Sequence, residues 1–219
     1  MNRPIHVGIF LFDGVDVLDF SGPYEVFSYA ARNGKELRGR LLGRDLPQHP
    51  PFLVRTVSEG GRMVTAKGGL RVLPDCGLHD APSFDVLLLP GASFAPLQKA
   101  LGNQSVLRWI RERSKDAEVV ASVCTGAYFL AEAGLLSGKR ATTHHAVLDH
   151  FQKSYPEVRV CRGRRVVDEG GVITSGGVTS GIHLALHIVR RFLGEEAERM
   201  LAGAIEFEPG GTAGPGIAG

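Results

Sequence analysis

Short apolar runs alternate along this chain with longer stretches in which apolar positions recur every three or four residues. Ile5 to Phe12, Phe52 to Ser58, Asp85 to Leu89, Val119 to Val123 and Val172 to Thr174 are short, mostly apolar and bounded by turn formers. That pattern predicts buried strands. Ser21-Gly22-Pro23 predicts a helix start, with Pro23 in the first turn and Ser21 or Gly22 as the cap, and the helix is expected to end near Asn33-Gly34. Residues 35–51 read as a basic, proline-containing loop. Leu97 to Arg113 reads as one helix with a charged outer face.

Glu59-Gly60-Gly61 and Lys67-Gly68-Gly69 bracket Arg62 to Ala66, and with Leu70 to Leu73 they predict a small β-meander leaving the main sheet. A helix after Cys124 is expected to close at Gly134. Ala146 to Ser154 is expected to be helical, Val158 to Cys161 and Val166-Val167 to be short strands, and Asp168 to Gly171 a turn. Further helices are expected from Val178 to Phe192 and from Glu195 to Phe207, with a disordered Gly- and Pro-rich tail over 208–219. Residues 1–207 then form one α/β domain, a flavodoxin-like, doubly wound, mostly parallel sheet with helices on both faces. In such sheets ligands bind beyond the carboxyl ends of the strands. Cys124, Gly91 and the segment carrying Asp19 all follow strands, so they are expected at one edge.

Composition narrows the function classes. Of the 219 residues 43% are hydrophobic and 22% charged, the formal charge is +2, and the basic residues are scattered, which argues against a nucleic-acid partner. The cluster between Lys35 and Arg44 reads as a solvated loop. No apolar run reaches membrane-spanning length, and the N-terminus has no leader pattern. Three cysteines, at 76, 124 and 161, have neither paired nor metal-ligand spacing, so no metal is expected and a reducing, cytoplasmic setting is.

One stretch carries chemistry. The strand Val119 to Val123 ends at Cys124, and a helix-forming run starts directly after it. This predicts a tight strand-to-helix turn with the sulfur at the helix N-terminus, where unpaired N–H groups favour a thiolate or a developing substrate anion. A buried, inert cysteine at a strand end fits the same residues. Asp19 has two readings as well, a proton-sharing partner of a thiol or a local hydrogen-bonder near the helix start; Asp13 and Asp16 lie close by.

Five motifs in order make the chain resemble the ThiJ/PfpI superfamily, within the class I glutamine amidotransferase-like folds. They are Leu18-Asp19-Phe20-Ser21-Gly22-Pro23, Leu89-Pro90-Gly91, Ser122-Val123-Cys124-Thr125-Gly126, Ala141-Thr142-Thr143-His144 and Ser175-Gly176-Gly177-Val178-Thr179-Ser180-Gly181. The resemblance is greatest to the isocyanide (isonitrile) hydratase branch and to the amidase-like domains of AraC-type regulators. It implies Cys124 as nucleophile, Asp19 as its acidic partner, Gly91 and the N–H of Ala92 as oxyanion donors, and His144 at the pocket border. Thr125 occupies a position where the peptidase branch has histidine; its hydroxyl is expected on the carboxylate, on substrate, or on backbone groups.

The chain also departs from the family pattern. Ala92 replaces a glycine, and a positive φ there would suit alanine poorly. His145 stands where the hydratase branch has tryptophan, and His183 where it often has aspartate. The resemblance implies an enzyme that needs no cofactor, acts on a small-molecule substrate and forms a homodimer. The activity it implies is hydration of an isocyanide to an N-substituted formamide through a thioimidate on Cys124. The alternatives are a ligand- or redox-sensing regulatory domain and a glyoxalase- or deglycase-like enzyme on small dicarbonyls.

Overall fold

A computed structural model of the protein describes residues 3–44 and 49–208. Its strands, in chain order, are β1 (Ile5–Phe10), β2 (Phe52–Ser58), β3 (Val64–Thr65), β4 (Arg71–Val72), β5 (Cys76–Gly77) and β6 (Val86–Leu89). They continue with β7 (Val119–Ser122), β8 (Arg140–Ala141), β9 (Arg159–Val160), β10 (Val166–Asp168) and β11 (Val172–Ser175). Seven of them form one sheet in the order β10-β11-β7-β6-β1-β2-β5, parallel throughout except where β10 meets β11. The central strands are apolar along their length because both faces are covered: Val7, Ile9, Leu87, Leu88, Leu89 and Val119 are fully buried. The α/β architecture expected from the alternating pattern is the one observed.

Helices α1 (Val17–Tyr29), α2 (Gly34–Leu42), α3 (Phe94–Leu101) and α4 (Gln104–Arg113) lie in the first half, and α5 (Ala127–Glu132), α6 (Leu148–Ser154), α7 (Ser180–Leu193) and α8 (Glu195–Ala204) in the second. α1 packs on α7 and α7 on α8, while α3, α4 and α5 contact one another. Register fixes the functional edge. Ile9 lies opposite Leu88, Leu89 opposite Ser122, and Ser122 opposite Thr174, so four strand ends are level. The chain leaves β1 toward β2 and later returns to β6 on the other side of β1, which puts a topological switch point beside these ends.

Four expectations are corrected. The first helix starts at Val17 rather than at Pro23, so Pro23 lies inside it and Asp19 in its first turn. Residues expected as a basic loop begin with α2 instead: Asn33 caps it by accepting the Glu36 N–H at 3.0 Å, and Gly43 ends it at φ 62°. The single helix expected over 97–113 is two, broken at Gly102-Asn103, where Asn103 Oδ1 accepts the Ser105 N–H at 3.0 Å and opens α4. The meander is a two-stranded hairpin, β3–β4, and β8 pairs with β9 in a separate parallel ribbon. The tail expected over 208–219 falls, from 209 onward, outside the described residues, as do positions 45–48 of the expected loop.

Candidate active site

The β7-to-α5 connection is held by hydrogen bonds to its backbone on three sides. The Val123 N–H donates to Leu89 O at 3.0 Å and so extends the β6–β7 ladder by one residue. Cys124 then turns into the left-handed region, φ 57°, which costs a non-glycine residue about 1–3 kcal/mol and persists only when its surroundings over-determine it. They do: the Cys124 N–H donates to Gly176 O at 2.9 Å, and its carbonyl accepts from Thr143 Oγ1 at 2.8 Å. A 3-10 turn, Cys124–Gly126, follows and leads into α5. Its path lies so close to β6 that a Cβ on Gly126 would stand 2.0 Å from Leu89 O. Cys124 is 4% exposed.

Asp19 is fully buried and reaches the sulfur from the first turn of α1. Its Oδ2 accepts the Gly91 N–H at 3.1 Å, its Oδ1 accepts the Val178 N–H at 3.0 Å, and it hydrogen-bonds the Cys124 thiol. Burial, reinforced by the neighbouring Asp16, raises the Asp19 pKa from 3.8 to about 6 despite these donors. Burial also pushes the Cys124 thiol far above its ordinary value, the Asp19 charge adds to that, and the Thr125 N–H on the sulfur pulls weakly the other way. The expected helix-terminus stabilisation of a thiolate is therefore outweighed. The resting sulfur is a thiol beside a carboxyl that titrates close to neutrality.

Thr125 and Ala92 are tied to each other. The Thr125 hydroxyl donates to Ala92 O at 2.7 Å and accepts the Ala92 N–H at 2.9 Å. Of the three partners expected for Thr125 it takes backbone groups, though those of Ala92 rather than of the helix start. Both N–H groups expected as oxyanion donors already have partners, Gly91 on Asp19 and Ala92 on Thr125. Ala92 has no positive φ, so its replacement of a glycine imposes no strain of that kind. The donor directed at the sulfur is the Thr125 backbone N–H.

His144 closes the opposite wall. Its Nδ1 accepts the Ala146 N–H at 3.2 Å, capping the turn His145–Val147, which assigns the ring proton to Nε2. Burial, with His145 beside it, lowers its pKa, so the ring is neutral near pH 7. Gly177 separates it from the sulfur: a Cβ there would lie 2.2 Å from His144 Cδ2 and 3.2 Å from Cys124 Sγ. His145 is exposed, with its ring 4.4 Å from that of His144. His183 lies on α7, where its Nε2 accepts from Arg165 at 2.8 Å.

Several site residues were not legible as such. Asp16, noted in the sequence only as a neighbour, presents a carboxylate oxygen within 4.8 Å of both Asp19 and Cys124 Sγ. Lys67, from the hairpin, pairs with Asp16 Oδ1 at 2.8 Å, and no local pattern signals a partner so distant in sequence. Val178, at φ 54°, is a second strained position. The donor atoms of Asp16, Asp19 and Cys124 are the acid and thiol groups here with metal-like spacing among the described residues, yet Asp16 is paired with Lys67 and Asp19 accepts from Gly91 and Val178. Two cavities lie elsewhere. One of about 650 Å³ borders Phe12, Ser58, Arg62 and Lys99, and one of about 380 Å³ borders Phe94, Tyr128 and His150; neither contains Cys124.

Comparison with known proteins identifies the family. The model of the DJ-1/PfpI family matches residues 6–191. The chain is 32% identical over 207 residues to an isonitrile hydratase of Pseudomonas putida, covering 94% of this chain and 79% of that protein. It is 26% identical over 206 residues to the HTH-type transcriptional regulator GbdR of Pseudomonas aeruginosa, of which it spans only 52%. The crystal structure of a THiJ/PfpI family protein from Pseudomonas syringae superposes with a TM-score of 0.80 at 23% identity, covering 98% of this chain and 79% of that one. With the family pattern matched from β1 into α7, this chain belongs to the DJ-1/PfpI family.

Proposed function

We propose that the protein is a cysteine-dependent hydratase that converts an isocyanide to an N-substituted formamide. The observation that carries this reading is the buried Cys124 thiol hydrogen-bonded to an Asp19 carboxyl poised near pH 6. Similarity to the Pseudomonas putida isonitrile hydratase supports the substrate class.

The chemistry follows from one proton and one electron pair. Ionised Asp19 takes the thiol proton as sulfur bonds to the terminal carbon of R–N≡C, and the same proton is delivered to that carbon. The product is a thioimidate, R–N=CH–S–Cys124. Water then adds across the C=N bond, the C–S bond breaks, and the sulfur recovers a proton as R–NH–CHO leaves. The Thr125 N–H stabilises sulfur whenever it carries negative charge. Burial excludes competing water until the adduct has formed.

Turnover of para-nitrophenyl isocyanide by wild type and by Cys124→Ala tests this reading, with methylglyoxal as the competing substrate. Formamide from wild type alone is the expected outcome. Consumption of methylglyoxal without isocyanide hydration would move the assignment to dicarbonyl chemistry.

A second reading has one observation in its favour: neither of the two cavities described above is lined by Cys124, as for a sensor cysteine without turnover. Similarity to GbdR over 94% of this chain makes that reading a regulatory domain. Saturable binding of an isocyanide with no formamide produced would favour it.

A further inference from the structure

Lys67 is fastened to the site through its backbone. Its N–H donates to Val15 O at 2.9 Å. The Gly14 N–H donates to Thr65 O at 2.8 Å, and the Thr65 N–H donates to Asp13 Oδ1 at 2.9 Å. The β3–β4 hairpin is thus tied to the loop between β1 and α1, and the turn Lys67–Gly69 is carried beside Asp16. There the Lys67 ammonium lies 2.8 Å from Asp16 Oδ1, while an Asp16 oxygen lies within 4.8 Å of Asp19 and of Cys124 Sγ. Three groups that become negative on ionisation therefore share one ammonium. Close to the cluster, His144 is neutral near pH 7, His145 is exposed beside it, and the Asp13 carboxylate is bonded to Thr65.

We propose that Lys67 is a positioning residue for the Cys124–Asp19 pair, clamping Asp16 and supplying the positive charge that lets the thiol give up its proton. The proposal deepens the reading of Cys124 as the nucleophile and rests on it. Without Lys67, the Asp16 carboxylate stands uncompensated next to Asp19 and the sulfur, and each acid disfavours ionisation of the others. The Lys67 side chain is 62% exposed, so salt screens its charge and bounds the effect to about three- to tenfold in thiolate population.

The test is the rate at which iodoacetamide alkylates Cys124 near pH 8, read on the Cys124 peptide by mass spectrometry so that Cys76 and Cys161 do not contribute. This readout needs no assumed substrate, so it stands even if isocyanides are not hydrated. Lys67→Met should slow alkylation about three- to tenfold, Lys67→Arg should stay within about twofold of wild type, and high salt should narrow the difference. Asp16→Asn should accelerate it, and Lys67→Met combined with Asp16→Asn should return toward the wild-type rate. Rates that move in opposite directions for the two single variants cannot come from a shared folding defect. A Lys67→Met protein as reactive as wild type, or Asp16→Asn slowed as much as Lys67→Met, would overturn the proposal.

Discussion

Val178 donates its backbone N–H to Asp19 Oδ1 at 3.0 Å across 159 positions of sequence, and it does so from φ 54°. A β-branched residue in the left-handed region is a steric outlier, held here in the turn between β11 and α7. Cys124 is the other strained residue at the site, at φ 57°. The two lie on either side of one carboxyl, so backbone strain is concentrated where proton transfer is proposed.

Relief of that strain can be measured. Val178 is 43% exposed, so Val178→Gly gives up little packing, keeps the N–H on Asp19 and removes the φ penalty. We expect a gain of up to about 1 kcal/mol in urea unfolding, net of the flexibility glycine adds to the unfolded chain. A loss of stability would show that the turn stores no strain at this position.

The raised Asp19 pKa has a signed consequence. Its folded value of about 6 exceeds the ordinary value of 3.8, so between these two pH values the folded protein holds more protons than the unfolded chain. The Asp19 contribution to stability is complete below the lower value and is lost as pH rises toward the upper one. Relative to wild type, Asp19→Asn should therefore gain roughly 2–3 kcal/mol between about pH 4 and pH 7, whatever its stability at the acid end. The same substitution should slow isocyanide hydration about 100-fold or more at neutral pH and remove the wild-type rise in turnover through about pH 6. Unfolding curves that keep a constant offset across this range would contradict the assignment.

Much of the fold was legible, for identifiable reasons. β1, β2, β6, β7 and β11 are short runs of mostly apolar residues ended by turn residues, and burial on both faces of the central strands leaves no competing pattern there. The helix boundaries were harder. Pro23 looks like a first-turn residue, yet Leu18-Asp19-Phe20 already belongs to α1, and Pro23 merely lacks the N–H that would bond the Asp19 carbonyl. Asn33-Gly34 looks like a helix end, whereas the Asn-x-x-Glu spacing to Glu36 marks the start of the next helix. At the site, the Cys124 turn, Asp19 and Gly91 were visible as motifs, but the pairing of Lys67 with Asp16 and the closure of Thr125 on Ala92 depend on chain crossings that local pattern does not encode.

That closure makes Thr125 a structural tie with a clear chemical test. Removing its hydroxyl leaves the Ala92 N–H and carbonyl without their partner in a buried setting, at a cost of about 1–3 kcal/mol for each group left unsatisfied. Thr125→Val should therefore lose about 2–4 kcal/mol in chemical denaturation, while Thr125→Ser keeps both bonds and most of the stability. Equal stability of the serine and valine variants would show that the hydroxyl does not hold Ala92.

Gly177 tests the proximity of His144 to the sulfur. A methyl group there meets His144 Cδ2 at 2.2 Å, and the imidazole is a side chain that can swing away, so Gly177→Ala should fold with a loss of about 1–3 kcal/mol. His144 should move in its crystal structure, and the rate of Cys124 alkylation should change because the added methyl contacts the sulfur at 3.2 Å. Gly126→Ala should be much worse, since the obstacle is the backbone carbonyl of Leu89 at 2.0 Å. If Gly177→Ala alters neither the His144 position nor the alkylation rate, the two groups do not share a wall.

The most direct measurement is mass spectrometry of the enzyme quenched during a single turnover with an aryl isocyanide. The proposed mechanism requires the peptide carrying Cys124 to gain the mass of one whole isocyanide, because thiol addition loses no atoms. That adduct should decay as formamide appears, and Cys124→Ala should form neither. Formamide released while the Cys124 peptide stays unmodified, with Cys124→Ala as active as wild type, would contradict the assignment of Cys124 as the nucleophile.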